Sequence, residues 1–437
     1  MLLQNIKKKI TLSNNLILKY SINESLLFGT ILLLSIFPKI GFQNFSLTIN
    51  SIIIIFLSPF ILVKVFNLKI NIFKDFILIL FSLMIISCFL SLIKNGFDKR
   101  NIFNVLKYFE ILIYLIIYIN AKYLINTKKI DHKKNINIIK YILLIFLYLF
   151  FTKIFLIKDY ISALSFDLLL SDYSLKLNGF NDYTFNLSNF SLITKGTTST
   201  NLSYVFCFIN IFLLVALFKI KNYSKLLLLI MNIIFIFYSV FVFHNTIYIT
   251  FIPILIATFT FLLIIANYKY KFILLSIYVF VTFLVYQNIS DLGFLNKITN
   301  VIETSIAQEN PRIRIWTAGV NILSIDKMSF FFGTVSPEKL IGYDFFESLF
   351  LDSFVKFGLL HLILITTLLG YMCSQILIKN NIEDPNIRIY YLILVFLTPS
   401  IIINNMVNSN MIFSELFAPI FFHLYGIINN KSNINEI

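Results

Sequence analysis

The sequence predicts an all-α polytopic integral membrane protein, a single transmembrane domain over residues 1–437, and three observations carry that expectation. Hydrophobic residues make up 58% of the chain and charged residues 13%, with 50 phenylalanines, which is more apolar surface than a soluble core of this length hides. Apolar runs of roughly 18 to 22 residues recur from end to end, the length a helix needs to cross ~30 Å of hydrocarbon at ~1.5 Å per residue. Basic residues, finally, concentrate on alternate connections between those runs.

The runs place about twelve transmembrane helices, near 18–38, 47–66, 75–94, 103–123, 136–156, 200–219, 225–243, 247–267, 270–288, 349–377, 388–406 and 410–428. With both termini cytoplasmic, the inner connections hold Lys7, Lys8, Lys9 and Lys19, then Lys64, Lys69 and Lys74, then Lys122, Lys128, Lys129, Lys133, Lys134 and Lys140. Further on they hold Lys219, Lys221 and Lys225, then Lys269 and Lys271, then Lys379 and Arg388, and last Lys431. The short outer loops carry only Lys39, Lys94, Lys99 and Arg100, and the loop from Lys94 to Arg100 departs most from the pattern. Two long hydrophilic stretches, 157–199 and 289–348, then fall outside as large extracytoplasmic loops, the second partly helical. Polar groups gathered in two loops on one face place the working site there, rather than on broken helices at the midplane of an inverted-repeat transporter. The sequence shows no internal repeat of the period such halves have.

The net charge of +15 would point to nucleic acid in a soluble chain, but in a spanning chain it serves topology, and no nucleic-acid partner is expected. Cys88, Cys207 and Cys373 all fall within spans without paired spacing, so neither a disulfide framework nor a metal site is indicated. The first apolar segment contains Glu24 and lacks a small-residue cleavage site, so it reads as a retained span rather than a cleaved signal.

Candidate residues sit in the two loops and at the span that follows the second. The first loop ends in TKGTTSTNLSY (194–204), where Lys195 precedes a glycine and a run of hydroxyls opening a helix. Such a helix start suits phosphate oxygens through charge, free N–H groups and dipole, and it equally suits a capped helix with an interfacial lysine. In the second loop Arg312 and Arg314 diverge by about 200° on a helix, so one of them faces a given pocket. Arg312 and Trp316 share a face at i,i+4, a guanidinium for phosphate beside an indole platform for a sugar ring; the same pair fits an interfacial helix of an aromatic belt. Lys107 with Glu110, and Asp352 with Lys356, have the spacing of neutralising pairs at membrane depth, while Glu415 lacks a local partner. His132 reads as cytoplasmic, His361 and His423 as intramembrane, and His244 as lying at an outer turn.

In this layout the chain resembles the superfamily of O-antigen polymerases (Wzy-type) and O-antigen ligases, multispan proteins handling undecaprenyl-diphosphate-linked glycans at the outer face of the inner membrane. The resemblance rests on Arg312 four residues before Trp316, Gly333 in FFFGTVS, Glu347-Ser348 opening the next span, and Gly358. GTTSTNLS resembles the family's Gly-x-x-x-x-Asn entry into a span, with Asn201 as the asparagine and Lys195 near the usual arginine. The chain departs from the family at Val335, where a second glycine is usual, and at His244-Asn245-Thr246, where many relatives have Ser-Arg.

The resemblance implies polymerisation of lipid-linked oligosaccharide repeats into O-antigen or capsule-type polysaccharide, with no cofactor and no metal. Arg312, Glu347 and Asp352 are the implied catalytic residues, and Lys195, Arg314, Trp316, Asn201, Gly333 and His244 the implied substrate-binding ones. The implied partners are the undecaprenyl-diphosphate-linked glycan, the lipid bilayer and a membrane regulator of chain length. Ligases of the superfamily carry a histidine in or at the end of the large loop; here Glu347 takes that place, which favours a polymerase. A ligase-type transfer or a polytopic transporter or flippase for lipid-linked glycans are the alternatives.

Overall fold

The computed structural model describes residues 24–34, 39–42, 45–47, 75–98, 110–156, 183–187, 190–195, 199–220, 223–242, 311–325, 327–337, 348–379, 384–407 and 417–430, with scattered single residues between. Helices dominate them: α1 (Glu24–Leu34), α2 (Phe76–Asn95), α3 (Glu110–Tyr123), α4 (His132–Leu156), α5 (Ser199–Lys219) and α6 (Lys225–Val242). After them come α7 (Pro311–Ile325), α8 (Lys327–Phe332), α9 (Leu349–Ile378), α10 (Pro385–Val407) and α11 (Phe417–Ile428). Three helices, Phe76–Asn95, Leu349–Ile378 and Pro385–Met406, are long and apolar enough to cross a membrane, and they fall on the spans expected at 75–94, 349–377 and 388–406. Shorter apolar helices, Tyr204–Lys219, Lys225–Ile236 and Phe417–Ile428, fall within three more. The spans expected at 47–66, 247–267 and 270–288 lie outside the described residues, apart from isolated positions.

Local chemistry explains where the long helices start and stop. Asp75 caps α2, its carboxylate accepting the Ile77 N–H at 3.2 Å, and Gly96 ends the helix at φ 84°, a left-handed value that a side chain resists. Ser348 caps α9 by accepting the Leu351 N–H. Pro385 opens α10, where its missing N–H costs nothing, and Asp384 accepts the Asn386 N–H at 2.8 Å.

The core forms around α5, whose residues from Tyr204 to Leu217 are buried on every side, as expected of a helix that is apolar all round. Phe28 of α1 meets Phe208 and Phe212 with ring centroids 6.0 and 5.7 Å apart, and α11 is buried over its whole length. By contrast, α2 turns Ile79, Leu83, Ile86, Phe89 and Ile93 outward, the face lipid would cover.

Hydrogen bonds show which helix ends lie together. Asp75 at the start of α2 meets Lys122 at the end of α3, and Asn430 beyond α11 donates to the carbonyls of Ala121 and Ile125. Lys379 after α9 donates to the Ile428 carbonyl and to Asn429, while Asn135 of α4 donates to Glu24 of α1 and to Tyr390 of α10. These contacts gather the start of α2, the ends of α3 and α9 and the segment after α11 at one end of the packed helices.

The described residues are predominantly helical, as expected, and one small sheet accompanies the helices. A four-stranded antiparallel sheet forms in the order β2-β1-β4-β3, from β1 (Lys39–Phe42), β2 (Phe45–Leu47), β3 (Tyr183–Leu187) and β4 (Phe190–Lys195). It joins the segment after α1 to the end of the long stretch 157–199, pairing Lys39 with Lys195 and Phe42 with Leu192. The period of two in YTFNL, followed closely by FSLITK, is a hairpin signal within a stretch read only as hydrophilic loop.

Candidate functional site

At the end of the bundle opposite the Asp75–Lys122 pair, α9 is broken. Gly358 takes φ 84° and ψ −176° inside it, so a short segment, Leu349–Phe357, precedes the long one. Carbonyls next to a break lose their helical donors and need others at membrane depth. The Val355 carbonyl accepts from the Thr334 N–H at 2.8 Å and its hydroxyl at 3.2 Å; the Lys356 carbonyl accepts from the Val335 N–H and the Ser91 hydroxyl, each at 3.0 Å.

This wedging brings two backbones into contact. Gly333, at φ 71°, lies so close that a Cβ there would run into the Lys356–Phe357 peptide, and a Cβ on Gly358 would run into the Phe331–Phe332 peptide. Val335 follows at φ 26°, buried against Phe357, Cys88, Leu92 and Val105. Gly333 thus serves packing: its N–H goes to the Ser329 carbonyl, and the next two N–H groups are taken by α9.

From α2, Lys94 Nζ donates to Ser329 Oγ at 2.7 Å and to the Gly333 carbonyl at 3.1 Å, with Asn95 Nδ2 3.2 Å from the same carbonyl. Asn101 Nδ2 donates to the Asn95 and Gly96 carbonyls, and Ser336 donates to Asn101 Oδ1 at 2.6 Å. One turn deeper, His361 Nδ1 sits 2.6 Å from Ser87 Oγ, a fully buried staple between α2 and α9. The lysine that fitted the topological pattern least therefore has a structural partner at this junction.

The structure brings several of the expected site residues together here. Arg312, Arg314 and Trp316 lie on α7, whose helical form puts Arg312 and Trp316 one turn apart on a common face. Arg314 is exposed and Trp316 half-buried, and Ile315 packs with Leu351 and Phe354 on Val355 of α9. Asp352 and Lys356 form the expected i,i+4 ion pair, 3.0 Å apart with side chains 10% and 15% exposed. Lys195 ends β4 and Asn201 lies in the first turn of α5. Glu347 and His244 lie outside the described residues; the cap of α9 is Ser348.

Sequence reasoning missed two buried polar clusters at the opposite end. Lys122 Nζ reaches Asp75 Oδ2 at 2.6 Å, with Tyr118 and Tyr123 donating to the same oxygen at 3.1 Å each. Glu24, 3% exposed, accepts from Tyr390 at 2.5 Å and Asn135 at 3.2 Å and lies 3.3 Å from His423 Nε2, joining α1, α4, α10 and α11. Beside the first cluster, burial and then the charge of Lys122 hold the Lys379 ammonium below the ordinary lysine range. The only sequence signal was an acid inside an apolar run, which names no partner.

No family model matches this chain, and comparison with curated proteins and with solved structures returns no match.

Proposed function

We propose that this chain is a polysaccharide polymerase of the inner membrane, working on undecaprenyl-diphosphate-linked oligosaccharide repeats at the outer face. One observation carries the reading: the Arg-Trp helix α7, the Gly333 turn and the start of α9, the parts on which the family resemblance rests, pack as one unit at a single end of the bundle. In the reaction the bond between the growing glycan's anomeric carbon and its diphosphate oxygen breaks. A new bond forms from that carbon to a hydroxyl of the incoming lipid-linked repeat, whose proton passes to a base, and polyprenyl diphosphate leaves.

A diphosphate leaving group asks for cations and a base rather than a cofactor. Arg312 is assigned to the diphosphate because a guanidinium offers paired donors and keeps its charge at an interface; Lys195 and Arg314 are secondary cations. Trp316 offers the sugar platform. Glu347, just ahead of the Ser348 cap, orients the acceptor hydroxyl, and Asp352, held by Lys356, has the smaller catalytic share. Asn201 and His244 are assigned to substrate binding, Gly333 shapes the turn after α8, and a chain-length regulator of the same membrane is the protein partner.

The experiment is the length distribution of lipid-linked glycan made by the purified protein and by a deletion strain carrying each variant. Arg312→Ala at matched abundance should lower the polymerisation rate about a hundredfold, or ~3 kcal/mol of transition-state stabilisation, with Arg312→Lys a poor substitute. Wild-type chain lengths from Arg312→Ala would remove the assignment. Glu347→Gln should insert normally yet leave single repeats uncoupled; long chains from it would reduce Glu347 to a residue that merely precedes a helix. Movement of solute without any lengthening of glycan would favour the transporter alternative.

A further inference from the structure

The connection from α3 to α4 turns a dense group of lysines outward. Lys128 and Lys129, on the short 3₁₀ turn Thr127–Lys129, and Lys133, Lys134 and Lys140 on α4 are all exposed. Asp131 is the one carboxylate among them, and it is spent on the backbone, accepting the N–H groups of Lys133 at 3.0 Å and Lys134 at 3.3 Å. Among the described residues its ion pair is with Lys134, 3.9 Å long between exposed side chains, and it neutralises little.

The corner is held rigid from beneath. Asn126 accepts the Lys128 N–H at 3.0 Å, the buried His132 contacts the Asn386 carbonyl of α10 at 3.1 Å, and Asn135 is tied to Tyr390 at 2.7 Å. Laterally, Tyr223 of the turn between α5 and α6 donates to Asn137 of α4 at 2.9 Å, which brings that turn, with exposed Lys219 at the end of α5, alongside.

What distinguishes this patch from a generally basic surface is its continuation along one face of α4. Lys133, Asn137, Lys140, Tyr141, Leu144 and Ile145 follow at helical spacing and all are exposed. Charge gives way to an amphipathic Lys-Tyr pair and then to bare hydrocarbon within about 18 Å, twelve residues at ~1.5 Å each. Leu144 and Ile145 belong to the apolar run read as a span at 136–156, so the lysines ahead of them stand at headgroup level, where the phosphates of the bilayer itself are in reach. A phospholipid matches both halves: phosphate at the lysines, glycerol level at Lys140 and Tyr141, acyl chain along Leu144 and Ile145. We propose that the α3–α4 corner is a headgroup site for anionic phospholipid of the leaflet at this end of the bundle, opposite the break in α9. This site does not depend on the polymerase reading.

The test uses the full chain in nanodiscs of phosphatidylglycerol mixed with phosphatidylcholine, the association of each lipid read from the motionally restricted fraction of its spin-labelled form. Wild type should prefer phosphatidylglycerol by about fivefold or more, the scale of one lysine near an anionic surface. That preference should collapse near 1 M salt, where the screening length is ~3 Å. Replacing Lys128, Lys129, Lys133, Lys134 and Lys140 together by Gln should bring the two lipids to parity, and replacing them by Arg should keep the preference. Equal association of both lipids with wild type, or a preference untouched by salt or by the Gln set, overturns the proposal. So does binding of polyglutamate by nanodiscs of phosphatidylcholine alone without lipid selectivity, which would assign the patch to an acidic protein. If the Gln set fails to insert, the salt and headgroup comparisons on wild type decide it by themselves.

Discussion

Gly358→Ala is expected to unseat the Leu349–Phe357 segment of α9 and to lower the stability of the purified protein by roughly 2–6 kcal/mol, combining a strained left-handed residue with an overpacked contact. Its φ of 84° disfavours any side chain, and its Cβ would meet the Phe331–Phe332 peptide, which is backbone and cannot swing aside. Gly333→Ala meets the Lys356–Phe357 peptide from the other side and should cost a similar amount. The double variant should fall well short of the sum, since either methyl already forces the same two backbones apart. Gly370→Ala, lower on the same helix with open space around it, is the control and should melt like wild type. Thermal loss of helicity followed by circular dichroism checks this; Gly358→Ala melting together with Gly370→Ala would remove the interlock from the account.

The second large effect lies at the other end of α2. Asp75→Ala strips the counter-ion from Lys122, whose side chain is 11% exposed, and should destabilise by roughly 3–5 kcal/mol, the cost of leaving one charge of a buried pair alone. Asp75 also caps α2, so Asp75→Asn, which retains an acceptor for the Ile77 N–H, should save about 1 kcal/mol of that loss. Adding Lys122→Met to Asp75→Ala should recover most of the remainder, because it takes away the orphaned ammonium. A double variant no more stable than Asp75→Ala alone would mean that the two tyrosines, and not the charge pair, hold this corner.

The contrast between these two places shows what a single sequence makes legible. Periodic apolar runs announce helices because burial and lipid exposure act on every residue of the segment, so α2, α9 and α10 stand where their runs predict them. The Asp352–Lys356 pair was readable for a similar reason, since its geometry follows from a spacing of four on one helix. Partners on different helices leave no such trace. Lys94 meets Gly333 across 239 positions, and Glu24 meets His423 across 399, so neither pair has a local spacing to betray it. Gly333 and Gly358 could be singled out from the motif, but that each exists to admit the other's backbone follows only from the fold. The hairpin of β3 and β4 is a different case: its alternation was in the sequence and was outweighed by the polarity of the stretch around it.

The break in α9 also bears on how the chain is assembled. Ser91, Thr334 and Val335, the donors that seal the exposed Val355 and Lys356 carbonyls, all precede α9 in the chain. When Gly358 leaves the ribosome, every group that closes the gap has already been synthesised, whereas α10 and α11 have not. The joint can therefore be made during translation from material already in hand, before the last two helices are available to pack.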